Sequence, residues 1–176
     1  MLKRLLSILL GVLLVAQFIR PDRSVPAVDP AADLFAMEQA PPDIQAWVKG
    51  ACYDCHSYAT EYPWYAGITP VNWWLQRHID EGREVLNFSR WDQYRGSEAA
   101  AESGEEMAED EMPPKNYTWM HDHARLTPAQ HQAVMDWFNG LQAAGGEEEQ
   151  EQEEPAKDVP PGSYDQQEDH EEEDED

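Results

Sequence analysis

Two cysteines and one histidine stand close together in the segment Cys52-Tyr53-Asp54-Cys55-His56, and they are the only cysteines in the chain. On a helical turn, residues i and i+3 lie on one face, so both thiols can reach one planar ligand. The C-x-x-C-H spacing is the pattern that joins two thiols to the vinyl groups of a haem as thioethers. His56 then comes under the iron as the proximal axial ligand. The motif predicts one covalently bound haem c.

Three other uses of this cysteine pair fit the sequence less well. A disulfide between Cys52 and Cys55 would close a very small loop and contribute little entropy. A thioredoxin-like pair would need a β-α-β context, and the sequence shows no such pattern. His121 and His123 could complete a zinc site, but the chain has no second cysteine pair to join them.

A methionine followed by two prolines, Met112-Pro113-Pro114, supplies the predicted distal ligand. The prolines stop a helix and hold the chain extended, so the thioether is presented from a stiff loop. A methionine sulfur is a common sixth ligand of haem iron in electron carriers. His121 is the alternative distal ligand. Arg83 could pair with a haem propionate, because a guanidinium fits a carboxylate in a bidentate manner.

Apolar periodicity predicts an all-α fold, namely a small cytochrome c-like helical domain around the haem. One helix begins at Pro41-Pro42-Asp43 and leads into the motif. A second has Thr69 as N-cap and Pro70 in its first turn, and ends near Gly82. A capping box opens a third helix, which runs to about Leu141. The predicted buried stripes of these helices are Ile44, Trp47 and Val48; Val71, Trp74, Leu75, His78 and Ile79; and Ala133, Val134, Trp137, Phe138 and Leu141.

The predicted haem domain covers residues 41–142, and other kinds of segment flank it. Residues 1–20 read as a signal anchor or signal peptide, with Lys3 and Arg4 before an apolar run. They predict a protein on the periplasmic side of the bacterial inner membrane, held there by this helix or soluble after cleavage near Ala27. Residues 21–40 read as a linker, and the acidic segment from Ser97 to Glu111 as a solvated helix or flexible insert.

The acidic residues are concentrated at the C-terminus, and we expect residues 143–176 to form a disordered acidic tail. Residues 147–176 hold 16 of the 36 acidic residues and one lysine, and so carry −15 of the net charge of −24. Such a chain lacks the basic footprint that nucleic acids require. It favours a redox protein partner with a basic docking surface, although the charge could equally serve solubility.

At the level of motifs, the chain resembles the small bacterial haem-binding domain family over roughly residues 41–142. The resemblance implies an exported, single-haem domain similar to a c-type cytochrome. The acidic insert between Trp91 and Met112 and the acidic tail depart from the family pattern. The segments that carry the resemblance are 51–57 (ACYDCHS), 62–65 (YPWY), 70–74 (PVNWW), 81–83 (EGR), 86–91 (LNFSRW), 111–117 (EMPPKNY) and 121–127 (HDHARLT).

The predicted function is electron transfer, because a haem with both axial positions filled has no open site for ligand chemistry. On this interpretation the protein is a carrier and not an enzyme. The alternative is a haem peroxidase or a haem-based ligand sensor with an open distal site. In that case His121 or His123 would supply the polar group that peroxide cleavage requires.

Overall fold

Helices form all the regular structure of the described residues, as the apolar periodicity predicts, and these residues contain no strand. The computed structural model describes the backbone of residues 1–152 and the side chains of residues 1–142. Short 3₁₀ turns at Pro30–Ala32, Trp64–Gly67, Phe88–Arg90 and Asp122–Ala124 connect some of the helices. The helices are α1 (Leu2–Ala16), α2 (Leu34–Met37), α3 (Pro42–Ala51), α4 (Tyr53–His56), α5 (Val71–Val85), α6 (Trp91–Tyr94), α7 (Glu98–Ala108), α8 (Lys115–Met120) and α9 (Pro128–Gln152).

The buried face of α5 follows the predicted stripe only in part. Leu75 and Ile79 are buried as predicted. Val71, Trp74 and His78 are exposed instead, while the polar residues Asn72 and Gln76 share the buried face. The face that looked apolar in the sequence is therefore divided between the core and the surface.

Both ends of α5 also differ from the prediction. Its N-cap is Pro70 and not Thr69, whose hydroxyl is buried without a hydrogen-bond partner. The helix continues past Gly82 to Val85. A glycine inside a helix costs only about 1 kcal/mol relative to alanine, which tertiary packing can offset.

The acidic segment that follows Trp91 contains a packed helix. Ser97 caps α7 by accepting a hydrogen bond from the Ala100 amide at 3.2 Å. Ala100, Gly104 and Met107 are buried on one face, and α7 packs against α9. The expected helix is thus present, but one of its faces is not solvated, because small residues at helical spacing let α7 approach α9 closely.

Helix α9 begins at the predicted capping box. The Thr127 amide donates to Gln130 Oε1 at 2.8 Å, and the Gln130 amide donates to Thr127 Oγ1 at 3.3 Å. Val134 and Phe138 are buried in the core. The helix runs to Gln152, past the predicted end near Leu141, since glutamate and glutamine are good helix formers. The tail predicted from residue 143 thus begins as helix, and residues 153–176 lie outside the described residues.

The segment predicted as a linker, residues 21–40, contains a short helix that packs on the domain. Asp33 caps α2 by accepting a hydrogen bond from the Phe35 amide at 3.0 Å. Leu34 is fully buried, and the Phe35 ring stacks on Tyr53 with 5.7 Å between centroids. Tyr53 also donates to Asp33 Oδ1 at 3.0 Å. These contacts fix the end of the segment to the haem motif.

Residues 2–16 form the helix α1, none of whose residues is buried. Across the described part of the chain, no helix combines the length and the apolar character that a membrane span needs.

Most of the hydrophobic core lies among α2, α3, α7, α9 and the turn at Phe88–Arg90, with Val48, Phe88 and Val134 among its buried residues.

Candidate haem-binding site

The C-x-x-C-H motif forms one helical turn at the point where α3 ends. Cys52 is the C-cap of α3 and the N-cap of α4. Its carbonyl accepts hydrogen bonds from the amides of Cys55 at 3.2 Å and His56 at 3.0 Å. Both cysteines and His56 line one cavity. The two cysteines are free thiols here.

The cavity has a volume of about 350 Å³ and lies between the motif, α5, α7 and the loop at 112–114. Pockets for small ligands commonly measure about 300–1,000 Å³. Besides the two cysteines, the sulfur-bearing residues of the wall are Met107 and Met112. Much of the remaining wall is apolar, and includes Ala51, Val85, Leu86, Phe88, Ala99, Pro113, Pro114 and Phe138.

The imidazole of His56 is oriented by the backbone. Its Nδ1 lies 3.1 Å from the carbonyl oxygen of Leu86, so Nδ1–H donates to that carbonyl. This tautomer leaves the lone pair on Nε2 for a metal, which is the usual arrangement of metal-binding histidines. Burial lowers the pKa of His56, partly opposed by hydrogen bonds with the backbone of Leu86 and Gly82. The neutral, ligating form is therefore favoured at neutral pH.

Burial also raises the pKa values of the two cysteine thiols. It raises the pKa of Cys52 to about 12, with a smaller contribution from the charge of Cys55. It raises the pKa of Cys55 to about 11, with Asp54 adding to the effect and Arg83 opposing it. In the folded chain without haem, both groups are therefore held as neutral thiols.

Helix α5 braces the motif from one side. A Cβ added to Gly82 would lie 3.0 Å from the carbonyl oxygen of Cys55, so this glycine permits the close approach. The next residue, Arg83, donates from Nε to the Ser57 carbonyl and from its terminal guanidinium nitrogen to Thr60 Oγ1, each at 2.8 Å. Arg83 thus holds the loop after the motif. The interpretation of Arg83 as a propionate partner finds no support in these contacts.

A hydrogen-bonded tyrosine holds the aspartate of the motif. Tyr117 donates to Asp54 Oδ2 at 2.7 Å, and the Glu61 amide donates to Asp54 Oδ1 at 2.7 Å. Burial, the hydrogen bond to Asp54 and the charge of Asp54 raise the pKa of Tyr117 well above its ordinary value. The phenol therefore stays protonated and acts as a donor.

The two candidate distal ligands lie in different places. Met112 lines the cavity together with His56, whereas His121 does not line it. The ring of His121 stacks on Tyr117 with centroids 4.1 Å apart. Its Nδ1 is 2.9 Å from the Tyr117 carbonyl, and its Nε2 is 3.2 Å from the Tyr65 hydroxyl. Both ring nitrogens of His121 are thus engaged by protein groups outside the cavity.

Two further residues of the cavity wall are not predicted as such from the sequence. Met107 is not recognised from the sequence because its neighbours are acidic. The spacing of Ala100, Gly104 and Met107 nevertheless indicates a buried helical face. His78, predicted on a buried stripe, is exposed where it lines the cavity, and its ring contacts Trp74 with centroids 4.3 Å apart. No residue pattern distinguishes the edge of a cavity from an ordinary half-exposed face.

The donor set and the lining both fit a haem. Two thiols, a correctly oriented imidazole and methionine sulfurs share one cavity, and apolar side chains surround them. For the zinc alternative, by contrast, the described residues contain no group of three or more His, Cys, Asp or Glu side chains placed to hold a metal ion. The fold and the site together define a helical haem-binding domain.

Comparison with known families agrees with this class. The model of the haem-binding domain family matches residues 11–140, and the chain belongs to that family. The match begins well before residue 41, the predicted start of the domain, in keeping with the packing of α2 on the haem motif. No curated protein and no solved structure matches the chain.

Proposed function

We propose that this protein transfers electrons through a single covalently attached haem c. One observation carries the proposal: Cys52, Cys55, His56 and Met112 all line the same cavity. A haem bound there would supply one-electron chemistry at its iron, between the ferrous and ferric states. A protein that fills both axial positions restricts the site to that chemistry.

Each residue has a distinct part in the proposal. Cys52 and Cys55 hold the porphyrin through thioethers, and His56 is the proximal ligand through Nε2. Met112 is the distal ligand, which raises the reduction potential relative to a second histidine. Leu86 fixes the tautomer of His56 through its carbonyl oxygen at 3.1 Å.

The two histidines predicted to serve the peroxidase or sensor alternative, His121 and His123, do not line the cavity, although His78 does. A distal acid-base histidine would need to face the iron, and both nitrogens of His121 are engaged elsewhere. His123 lines a different cavity, beside Lys49 and Tyr58.

The proposed location is the exported side of the bacterial inner membrane. The basic start and the apolar side chains of α1 are typical of an export signal. The proposed partner is a redox protein with a basic docking surface, because the chain carries a net charge of −24.

The test uses the full chain purified with its haem. Acid-acetone should leave the haem on the polypeptide, and the ferric protein should be low-spin with the weak red band that reports iron–methionine coordination. It should take up and release one electron reversibly in a potentiometric titration. Haem that extracts freely would refute covalent attachment, and a high-spin ferric spectrum would favour the sensor or peroxidase function.

A further inference from the structure

An unusual concentration of exposed apolar side chains lies around the start of α5. Trp64 is 80% exposed, Trp74 48% and Trp119 76%. These three tryptophans line an apolar groove of about 380 Å³. Exposed apolar patches of this kind mark contact with another molecule or with lipid. We use the name aromatic face for the six exposed residues Trp64, Ile68, Val71, Trp73, Trp74 and Trp119.

The aromatic face is also where the N-terminal segment is attached. Residues 17–23, which we call the strap, are fixed to residues 62–73 by several hydrogen bonds. The side chain of Gln17 makes a reciprocal pair with the backbone of Thr69, donating to its carbonyl and accepting from its amide, each at 3.0 Å. The indole of Trp73 donates to the Ile19 carbonyl at 2.9 Å.

Two arginines extend the strap along the same surface. Arg20 donates to the carbonyl of Gly67, and Arg23 donates to that of Ala66. The guanidinium of Arg23 also lies over the Tyr62 ring, 4.1 Å from its centroid. The end of α1 is thereby held at the edge of the aromatic face and not on a free tether.

Helix α1 is not covered by the described part of the chain. None of its residues is buried, and its leucine, isoleucine and valine side chains from Leu5 to Val15 are between 38% and 66% exposed. A helix that is apolar all round requires an apolar environment. Because the strap joins α1 to the aromatic face, a surface that binds α1 also contacts the aromatic face.

The distribution of charge indicates the same kind of partner. The chain carries 36 acidic residues, yet residues 62–79 contain none, and neither do residues 112–121. These two stretches supply all the residues of the groove. Two stretches that lack acids and are rich in tryptophan suit the headgroup layer of an anionic bilayer, where tryptophan and tyrosine are enriched.

We propose that the aromatic face docks on the headgroup layer of the membrane that α1 enters, so that the strap fixes the orientation of the haem domain on the lipid surface. The proposal rests on the proposed export of the chain and on α1 and the strap remaining part of the mature protein. It does not depend on the redox role of the haem. The proposed partner of the aromatic face is a lipid headgroup layer. The competing partners are a second copy of the chain and another protein.

The experiment places one reporter on the face and one elsewhere. In the haem-loaded protein Cys52 and Cys55 are consumed by the proposed thioethers, so an added cysteine is the single reactive thiol. Ile68→Cys labels the aromatic face, and Met37→Cys labels an exposed position on α2 as a matched control. Each carries an environment-sensitive NBD dye, and the full-length chain is mixed with phosphatidylethanolamine–phosphatidylglycerol vesicles. The unsubstituted chain should take up no dye, which separates a failure of covalent attachment from a failure of docking.

The dye at position 68 should gain emission several-fold on vesicle binding and be quenched by doxyl-labelled lipid, while the dye at position 37 should stay water-exposed. Equal responses at the two positions would overturn the proposal. A dye at position 68 that is already shielded without vesicles, in a species of doubled mass, would assign the face to a second copy and overturn lipid docking.

A strap variant provides the second arm. Gln17→Ala combined with Arg20→Ala removes the three hydrogen bonds that join the strap to Thr69 and Gly67, and it leaves all six residues of the aromatic face in place. Vesicle binding through α1 should persist, but the emission gain at position 68 should be largely lost, with an unchanged haem spectrum showing that the domain is intact. An undiminished gain at position 68 would show that the strap does not orient the domain.

Discussion

The imidazole of His56 can bind a metal through only one of its nitrogens, because the other is committed to the Leu86 carbonyl at 3.1 Å. A hydrogen bond of this type fixes both the tautomer and the plane of the ring. Leu86 lies 30 residues further along the chain, just after α5, so the orientation of the ligand depends on how that helix packs. The same cavity offers two methionines as candidate distal ligands, Met107 and Met112.

Met112→Ala should convert the low-spin ferric haem to a high-spin form or recruit a replacement ligand, with a lower midpoint potential. The reason is that the variant removes the proposed sulfur ligand from the cavity. Absorption spectra and potentiometric titration measure the change. Met120→Ala, at a 48% exposed methionine outside the cavity, is the control and should leave both unchanged. A wild-type spectrum in Met112→Ala, with loss of the red band in Met107→Ala, would assign the ligand to α7.

Tyr117→Phe should reduce stability by about 1–3 kcal/mol, because it removes a hydrogen bond to a charged acceptor, Asp54, at 2.7 Å. Denaturant unfolding of the haem-loaded protein measures the loss. Tyr58→Phe is the comparison, since it removes a hydroxyl from another ring and keeps that ring beside the Arg83 guanidinium. If the two variants were equally stable, the contact between Tyr117 and Asp54 would contribute nothing to the fold.

At the scale of elements, the haem motif depends on how closely α5 crosses it. A methyl group added at Gly82 would lie 3.0 Å from the Cys55 carbonyl oxygen, which is tighter than an ordinary contact, so the backbone of Cys55 or α5 would have to shift. This contact is with the backbone, so it cannot be relieved by a change of rotamer. Helix α5 therefore positions the second thiol as well as the loop that Arg83 holds.

Gly82→Ala should lower the melting temperature of the haem-loaded protein, because overpacking typically costs about 1–3 kcal/mol, more than the gain of about 1 kcal/mol in helix propensity. Gly140→Ala is the matched control, since nothing lies within 4 Å of a Cβ added there. That variant should keep or raise the melting temperature. Equal effects of the two substitutions would show that α5 can move away from the motif without loss.

The helices that carry the motif could be predicted from the sequence, whereas their contacts could not. The capping box at Thr127 and the start of α3 obey local rules, and both predictions hold in the structure. The sequence predicts a helix end at Gly82, because it does not distinguish a glycine that permits close packing from a glycine that ends a helix. The packing of Leu34 and the pairing of Gln17 with Thr69 join distant segments and leave no periodic signal.

The site was predictable to a similar extent. The C-x-x-C-H pattern led to three of the cavity residues, since covalent haem chemistry requires that spacing. Met112 could be singled out from its prolines. The placement of His121 outside the cavity could not be predicted, because it depends on hydrogen bonds with Tyr65 and Tyr117, which no sequence pattern links to His121.

At the scale of the whole molecule, charge is distributed unevenly between the C-terminal segment and the surface around the groove. Residues 153–176 alone contain 12 acidic residues and one lysine, a net charge of −11. They contain few apolar residues to bury, so we expect them to be dispensable for folding. Their effect should be on association with a basic partner, through long-range attraction that salt weakens.

Truncation after Gln152 should leave the haem spectrum and the melting temperature unchanged. It should slow electron exchange with a basic c-type cytochrome used as a probe, and make that rate less sensitive to ionic strength. Stopped-flow measurements at several salt concentrations test this. A chain in which the acids of residues 153–176 are replaced by their amides controls for length. A marked loss of thermal stability on truncation would contradict the expectation that these residues are dispensable.

The burial of the motif beneath α5 has a consequence for the order of events in biogenesis. Thiolates are the reactive form of cysteine, and with pKa values of about 12 and 11 the two thiols of the closed domain are almost entirely protonated at neutral pH. Gly82, Leu86 and Met112, which line the same cavity, are synthesised after His56. The proposed covalent joining of the haem therefore belongs to the interval after the motif has emerged and before α5 closes over it. A domain that closes first would hold both thiols in the protonated form, which reacts more slowly than the thiolate.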